Sequence, residues 1–441
     1  MRVGLLVPGG FLAGAALCAW MLRGAPESIA VDRAQPLTVV TYWHHFGAQM
    51  WLAFALAIVI ASIGYLAALR GSSLRAVIAL SALACAAALL FPVVFSSDVY
   101  AYAGYGDMAL HGISPYAHAR ITVRDPLLDA MLWQWGNPPP MCVYGPAFVW
   151  LAQAIAAVFL PLGAAAPLWA FRVLACLALV ACAPLAYAAF SPFPRATRLA
   201  AAAGIALNPI AIWSAAEGHN DTLALAIVLA GFALASRSRL FTGALLVALS
   251  ALVKAPGAVA AVALAATSRR AAAGAALGIA MVAGLAIPLE YGVRAHLAPA
   301  GHYFPQFSLQ YVSIPLAAVV VAALIAACFP KPGLRVTPVL ALAGFLAIPN
   351  PYPWYAVWLL PVAFLAWESA GAWALIAASL LIAVRYYPDA TTALSRPLNL
   401  TIVAVEFAVP LALMSAHIWN ARRGRREIRT PVPGFARPRS P

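Results

Sequence analysis

Residues 96–116 read S-S-D-V-Y-A-Y-A-G-Y-G-D-M-A-L-H-G-I-S-P-Y, and they follow an apolar run that ends in V-V-F. This change from apolar to polar residues predicts that Asp98 lies at the end of a membrane-spanning helix, where a carboxylate is costly unless it has a function. Tyrosine is typical of the membrane–water boundary, so an aromatic anchor would explain the tyrosines but not Asp98. We therefore predict a catalytic or binding carboxylate at Asp98, with an anchor as the alternative. The tyrosines of the stretch are at positions 100, 102, 105 and 116.

The composition of the whole chain indicates a polytopic membrane protein. Of its 441 residues, 64% are apolar and 9% are charged, which does not suit a water-soluble globule. The N-terminal apolar run is long for a signal peptide, so we interpret it as the first spanning helix. Basic cytoplasmic loops explain the net charge of +14 better than nucleic-acid binding does. Most cysteines lie within apolar runs, and no disulfide framework is predicted.

Apolar runs of spanning or near-spanning length follow one another along the chain, separated by short basic connectors. If every connector is cytoplasmic, residues 145–163 must stay in the outer interface. Residues 240–267 must then cross twice, with a break near Lys254 and Pro256. Broken helices are tolerated at membrane depth where they line a cavity. The runs cover residues 4–22, 47–69, 76–95, 167–190, 197–214, 221–236, 240–267, 271–288, 311–329, 336–349, 354–369, 371–385 and 399–418.

This arrangement predicts an all-α polytopic membrane protein with about 14 transmembrane helices and both termini in the cytoplasm. We expect one transmembrane domain over residues 1–421, with a large outer loop at 96–166. A basic cytoplasmic tail, expected to be disordered, follows at 422–441. Most acidic residues then face outward, and so does the expected chemistry. The same outer side carries the other long connections, at 24–46, 289–310 and 386–398.

A second polar group occupies residues 208–222, N-P-I-A-I-W-S-A-A-E-G-H-N-D-T. His219, Asn220 and Asp221 fall within one short turn between two apolar runs, which is unusual for a simple connector. Asn220 or Asp221 could instead cap the next helix, since both residue types are favoured N-caps. Capping does not account for His219, so we predict a binding site in this turn.

Lys254 is the only charge between Arg239 and Arg269. A lone lysine in an apolar run can extend towards a membrane surface and have no further role. The adjacent Pro256 instead suggests a cavity, where an ammonium would pair with an anion such as phosphate.

Aromatic residues and prolines concentrate at residues 348–358, I-P-N-P-Y-P-W-Y-A-V-W. Trp354, Tyr355 and Trp358 could be interface anchors, and their flat faces equally suit a sugar ring or an isoprenoid chain. The sequence alone leaves both alternatives open.

Several cofactor motifs are missing from the sequence. The histidines have no recognisable zinc spacing, and no Walker-type phosphate loop or D-x-D triplet occurs. We therefore predict neither a metal site nor a nucleotide cofactor.

Five motifs, in this order, resemble those of integral-membrane glycosyltransferases of the GT-C fold that use polyprenyl-phosphate sugars. In particular, the chain resembles the α-1,6-mannosyltransferases that draw on polyprenyl-phosphomannose. The motifs are S-D-V-Y-A-Y with G-I-S-P-Y after it, V-Y-G-P-A-F at 143–148, N-P-I…G-H-N-D-T at 208–222, A-L-V-K-A-P at 251–256 and P-Y-P-W-Y at 351–355.

The resemblance implies a GT-C-like fold whose large outer loop carries interfacial helices, and it assigns catalytic roles. An acidic residue in the first large outer loop acts as general base in that fold, which maps to Asp98. Some relatives carry two acidic residues at this helix exit, and Asp107 is the nearest candidate here for the second. Substrate-binding candidates are Tyr100, Tyr102, Tyr144, His219, Asn220, Asp221, Lys254, Trp354 and Tyr355.

The implied reaction moves a sugar, expected to be mannose, from a polyprenyl-phosphate donor to a hydroxyl of a glycan or glycolipid acceptor. It would occur by a single inverting displacement at the outer face of a bacterial inner membrane. Lys254 and His219 would stabilise the leaving phosphate. Since the donor is already activated, neither a nucleotide nor a metal is required.

Two other functions remain open at this stage. A lipid-linked-sugar transporter or flippase also needs broken helices and charges at membrane level, although the chain shows no two similar halves. A glycan ligase would share the outward site and the prenyl donor, and Arg120 and Arg124 in the large loop would suit its pyrophosphate.

Overall fold

Helices form every regular element in the part of the chain that the structure describes. The computed structural model describes residues 3–23, 39–93, 95–117, 119–287, 289, 337–346, 352–386 and 396–428. No strand occurs in these ranges, which confirms the predicted all-α class for them. The predicted run at 311–329 lies outside the described residues, as does most of the connections 24–46, 289–310 and 386–398.

The helices follow the predicted apolar runs to within a few residues at most ends. Short 3-10 segments adjoin them at Val3–Leu5, Leu160–Leu162, Ser250–Leu252, Pro353–Trp358 and Ile382–Arg385. The α-helices are α1 (Leu6–Leu22), α2 (Val39–Gly71), α3 (Leu74–Ala88), α4 (Asp98–Leu110), α5 (Pro126–Trp135), α6 (Pro146–Phe159), α7 (Ala165–Ala189), α8 (Arg195–Ala206), α9 (Pro209–Ala216), α10 (Asp221–Ala235), α11 (Leu240–Leu249), α12 (Pro256–Ala265), α13 (Arg269–Ala286), α14 (Thr337–Leu346), α15 (Leu359–Leu365), α16 (Ala370–Leu381) and α17 (Arg396–Ile428).

Small residues bring α1 and α2 into backbone contact. A side chain at Gly10 would place its first carbon 2.7 Å from the carbonyl oxygen of Ala57. Close approach through glycine is typical of helices that pack within a membrane. From α2, the buried Tyr65 hydroxyl donates a hydrogen bond to the carbonyl oxygen of Gly204 in α8, at 3.2 Å. The hydroxyl therefore links α2 to α8.

The stretch quoted first folds into α4, which packs against α6 of the large loop. Gly106 makes the contact possible, because a Cβ atom there would lie 2.2 Å from the carbonyl oxygen of Ala152. Just before α6, the Gly145 N–H donates a hydrogen bond to the carbonyl oxygen of Val253, at 3.2 Å. The large loop is thereby joined to the break within residues 240–267.

The predicted break near Lys254 and Pro256 is confirmed. After α11, a 3-10 turn at Ser250–Leu252 ends the helical run, and α12 starts at Pro256. Proline is favoured in the first turn of a helix because the missing N–H would have no partner there. Whether residues 240–267 cross the membrane twice remains a prediction.

A second break separates α8 from α9, which are bent by 41° relative to each other. Asn208 stands between them and caps α9, because its side-chain oxygen accepts hydrogen bonds from the N–H groups of Ile210 and Ala211 at 3.0 and 3.1 Å. The predicted single run at 197–214 is therefore two helices, and the second leads directly into the polar turn.

Four helical segments of the described part are long and apolar enough to cross a membrane, or five if the bent pair α8–α9 counts as one span. They are Val3–Met21, Gln49–Gly71, Ala165–Ala189 and Arg269–Ala286. The expected total of about 14 crossings and the interfacial position of 145–163 remain predictions.

The last helix, α17, extends beyond its predicted end into the basic tail. It continues to Ile428, so the expected disorder does not hold for residues 422–428. Arginine and glutamate are good helix formers, and they can prolong a helix that has already started. Further up, α17 is attached to the bundle by the buried Arg385–Glu406 ion pair, whose two N–O distances are 2.9 and 2.7 Å.

Candidate functional site

Asp98 lies at the first position of α4 and faces three polar side chains. Its Oδ2 atom is 3.3 Å from the hydroxyl of Tyr102, which lies one turn later on α4, and 3.4 Å from the hydroxyl of Tyr144. Nδ1 of His219 is 3.5 Å from the same oxygen. The Asp98 side chain remains 17% exposed, so a ligand can reach it.

The surroundings of Asp98 keep its carboxyl group ionised. Burial by itself would raise the pKa of this carboxyl. His219, Lys254 and Tyr102 outweigh burial through their charges and hydrogen bonds, so the pKa of Asp98 lies below its usual value. The group is therefore a carboxylate at neutral pH and can accept a hydrogen bond from a substrate hydroxyl.

The tyrosines of the first stretch are buried in protein rather than spread along a membrane boundary. Tyr100, Tyr102, Tyr105 and Tyr116 are each less than a tenth exposed, and so is Tyr144. The anchor alternative is therefore wrong for them. Tyr102 and Tyr144 contact Asp98, whereas Tyr100 packs in the hydrophobic cluster to which all three belong.

The turn after α9 is held in place by hydrogen bonds from elements distant in sequence. Arg172 of α7 donates to the carbonyl oxygens of Ala216 and Phe91, the latter at 2.7 Å. Glu217 Oε1 accepts a hydrogen bond from the N–H of Phe95 at 2.8 Å. These bonds fix the turn against the end of the run before Asp98. Arg172 was not among the predicted site residues, although an arginine inside an apolar run is itself a signal.

Gly218 gives the turn its shape. Its φ angle is +92°, a conformation that side chains rarely adopt, and a Cβ atom there would lie 2.9 Å from Val99. The conformation turns the chain so that His219 faces Asp98, which lies more than a hundred residues earlier.

Lys254 and Asp221 form a buried ion pair. Lys254 Nζ is 2.5 Å from Oδ2 of Asp221, and the other oxygen of Asp221 accepts a hydrogen bond from the indole N–H of Trp358 at 2.8 Å. The lysine nitrogen also lies 5.7 and 5.2 Å from the ring centres of Tyr144 and Tyr355. Lys254 is 12% exposed, so it does not simply extend to a membrane surface.

Neither Asn220 nor Asp221 caps α10 through its side chain. Asn220 occupies the N-cap position without a capping hydrogen bond, and Asp221 is engaged by Lys254 and Trp358. Neither polar atom of the buried Asn220 amide has a hydrogen-bond partner among the described residues. A buried amide without partners is costly, so this group is available to a ligand.

Aromatic rings cover the histidine. Trp354 stacks on His219 with ring centres 4.0 Å apart, and Tyr352 stacks on Trp354 at 4.5 Å. Trp354 is buried, which contradicts the anchor alternative for this residue. The aromatic residues Tyr352, Trp354, Tyr355 and Trp358 form an aromatic wall that suits a flat, partly apolar ligand, and Tyr352 was not among the predicted site residues.

Asp107 belongs to a different group of side chains. It follows Asp98 by nine residues on α4, or roughly 14 Å along the helix axis. Its neighbours are His111 and Asp125 rather than the residues around Asp98. Burial and the nearby Asp125 carboxylate raise the pKa of Asp107 to about 7.

Comparison with known proteins assigns the chain to a family. Residues 2–270 match the family described as alpha-(1->6)-mannopyranosyltransferase, N-terminal domain. The chain belongs to the alpha-(1->6)-mannopyranosyltransferase family. The matched part of this mannosyltransferase homologue includes Asp98, His219, Asp221 and Lys254, whereas the aromatic wall at 352–358 lies beyond it. Its apolar helices and its family together identify it as a membrane protein.

A curated relative supports the same family. The chain is similar to alpha-(1->6)-mannopyranosyltransferase A of Corynebacterium glutamicum, with 28% identity over 182 residues. The matched region is 39% of this chain and 36% of the relative, so the similarity spans about a third of that protein's length. No solved structure matches the chain.

Proposed function

We propose that this membrane protein transfers mannose from a polyprenyl-phosphate donor to an acceptor hydroxyl of a glycan or glycolipid. The observation that carries the proposal is the pocket in which the ionised Asp98 faces His219, with the Lys254–Asp221 pair beside it. A base and a cation in one pocket are the two groups that such a displacement requires. Family membership supports mannose as the sugar.

Asp98 is the proposed general base. An ionised carboxylate accepts a hydrogen bond from the attacking hydroxyl and takes its proton as the new bond to the sugar forms. The low pKa of Asp98 makes it a weak base towards the free hydroxyl. The proton becomes more acidic during attack, so transfer is favourable late in the displacement. The hydroxyls of Tyr102 and Tyr144 hold the carboxylate in position.

Lys254 is the proposed partner of the donor phosphate. An ammonium has three donors, and Asp221 uses one of them. The remaining donors can approach an anion from the exposed side of Lys254. Asp221 would then act as a positioning residue, since it is itself held by Trp358. His219, whose Nδ1 faces Asp98 and whose ring stacks on Trp354, is proposed to help stabilise the same phosphate.

Asn220 and the aromatic wall are the proposed sugar-binding groups. The unpartnered amide of Asn220 can both donate to and accept from sugar hydroxyls. Tyr355, which is partly exposed, offers a flat face for a sugar ring or the first isoprene units, whereas the Trp354 ring is already stacked on His219 and Tyr352. The donor is activated by its phosphate, so the proposed reaction requires no nucleotide. The proposed site faces the outside of a bacterial inner membrane.

Replacement of Asp98 by asparagine tests the proposal. Asp98→Asn preserves shape and hydrogen-bonding capacity but removes basicity. It should lower mannosyl transfer from synthetic radiolabelled polyprenyl-phosphomannose to about a hundredth or less, while binding of the donor persists. Asp129→Asn, which changes an exposed carboxylate of the same loop, is the matched control and should retain full activity.

Near-normal turnover of the Asp98→Asn protein would place the base elsewhere and contradict the proposal. A protein that binds the lipid donor and moves it across vesicles, but never transfers the sugar, would instead be a transporter.

A further inference from the structure

A second group of polar side chains lies where α4 ends and α5 begins. Asp107 and His111 are one helical turn apart at the end of α4, and Asp125 occupies the N-cap of α5. One ligand atom from each of the three residues lies within 4.8 Å of the others. The group is separate from the Asp98 pocket, and the proposed reaction does not use it.

The carboxylates of this group have more acceptor oxygens than donors. Asp107 is fully buried, and neither of its carboxylate oxygens has a hydrogen-bond partner among the described residues. The imidazole Nδ1 of His111 lies 3.0 Å from the main-chain carbonyl oxygen of Asp107 and 3.3 Å from its Oδ1 atom. Asp125 uses Oδ1 to cap α5, at 2.9 Å from the N–H groups of Leu127 and Leu128, while its buried Oδ2 has no partner in the described part.

Two close carboxylates are especially unfavourable at this place. The C-terminal end of a helix carries a partial negative charge, and Asp107 lies in the last turn of α4. Like charges and burial both disfavour two ionised carboxylates. A cation between the two carboxylates would offset the charge repulsion, the cost of burial and the negative helix end. The His111 side chain is 38% exposed, which leaves a path for an ion from solvent.

We propose that Asp107, His111 and Asp125 form a divalent metal site that fastens the end of α4 to the start of α5. Two carboxylate oxygens and one imidazole nitrogen suit Zn²⁺, with a fourth position open to water. The sequence shows no metal-ligand motif here, because two of the ligands lie one helical turn apart and the third lies beyond the next loop. The site stabilises the large loop and does not act on the substrate.

Zinc binding to the purified full-length protein tests the proposal without any activity measurement. After chelator treatment, zinc addition and desalting, we expect elemental analysis to find more zinc in the wild type than in Asp125→Asn. Asparagine keeps the Oδ1 cap of α5 but removes the anionic oxygen, so the zinc affinity should fall at least ~10-fold. Zinc should also raise the melting temperature of the wild type more than that of Asp125→Asn.

Asp129→Asn is the matched control, because Asp129 lies in the first turn of the same helix but pairs with the exposed Arg124 at 3.0 Å. It should retain the wild-type zinc content. If Asp125→Asn does not fold, His111→Gln replaces it, since this side chain is partly exposed.

Equal zinc content in the wild type and the ligand variant would overturn the proposal. A wild type that neither retains zinc nor is stabilised by it would also overturn it.

Discussion

At the scale of single residues, the ion pair between Lys254 and Asp221 changes how the role of the lysine can be tested. Asp221 is fully buried, so Lys254→Met would leave an unpaired buried carboxylate. Breaking a buried pair in this way costs roughly 3–5 kcal/mol. The single substitution therefore measures folding as well as donor binding, and a second substitution must remove the charge of Asp221.

We expect the double variant Lys254→Met/Asp221→Asn to fold and to need about 10- to 150-fold more polyprenyl-phosphomannose for half-maximal rate. That range corresponds to the loss of one charged hydrogen bond to the phosphate. Asp221→Asn alone retains an oxygen for the Trp358 N–H and measures how much of the change in KM comes from the loss of Asp221 itself. If the double variant had the donor KM of the wild type, Lys254 would merely neutralise Asp221.

At the scale of elements, α4 is positioned by its contact with α6. Two glycines of α4, Gly104 and Gly106, allow the rigidity of its contacts to be compared. A methyl group at Gly106 would meet the backbone of Ala152, which cannot move aside. A methyl group at Gly104 would meet the side chain of Met131, whose Sδ at 2.3 Å can move aside but whose Cβ at 2.9 Å moves only with the backbone. Both substitutions replace glycine by alanine within the same helix, so the gain in helix propensity is the same. The difference between their melting temperatures therefore reports how rigid the opposing contact is.

Gly106→Ala should destabilise the protein by about 1–3 kcal/mol through overpacking, reduced by the roughly 1 kcal/mol that alanine gains over glycine in a helix. Gly104→Ala should be less destabilising, because most of its contact is with side-chain atoms of Met131 rather than with backbone. Melting temperatures in detergent measure the difference. We also expect slower mannosyl transfer in Gly106→Ala, because α4 carries Asp98. Equal melting temperatures for the two variants would show that the α4–α6 contact tolerates a methyl group.

At the scale of the whole molecule, the predicted topology places the end of α6 and the connector after α10 on opposite sides of the membrane. Three predicted crossings separate them, formed by α7, the bent pair α8–α9, and α10. Leu162 is 75% exposed, and Arg237 is also exposed, so both positions can report their side. The described native cysteines are buried and give little background.

In intact cells, Leu162→Cys should react with an impermeant thiol reagent, whereas Arg237→Cys should react only after the membrane is opened. The physical reason is the retention of basic connectors in the cytoplasm. Labelling is measured on the purified protein. Labelling of Arg237→Cys but not Leu162→Cys in intact cells would invert the topology and place the His219 turn on the cytoplasmic face.

Local sequence patterns were enough to predict the helical class, the membrane environment, the family resemblance and the break at Lys254. Each follows from local patterns: apolar runs, the proline after the break, and short motifs whose residues lie close together in the chain. Asp98 could be chosen in this way because it ends an apolar run. The helix ends also follow local rules, such as the cap formed by Asn208.

Which polar groups meet depends on how the helices pack. His219 reaches Asp98 because Arg172 and Glu217 hold its turn against the preceding run, through contacts that no short pattern encodes. Asp107, chosen as a partner for Asp98, lies with His111 and Asp125 instead, since nine residues of helix separate the two carboxylates by roughly 14 Å. Residues that are close in the sequence can be far apart along a helix, and helix packing can bring together residues that are far apart in the sequence.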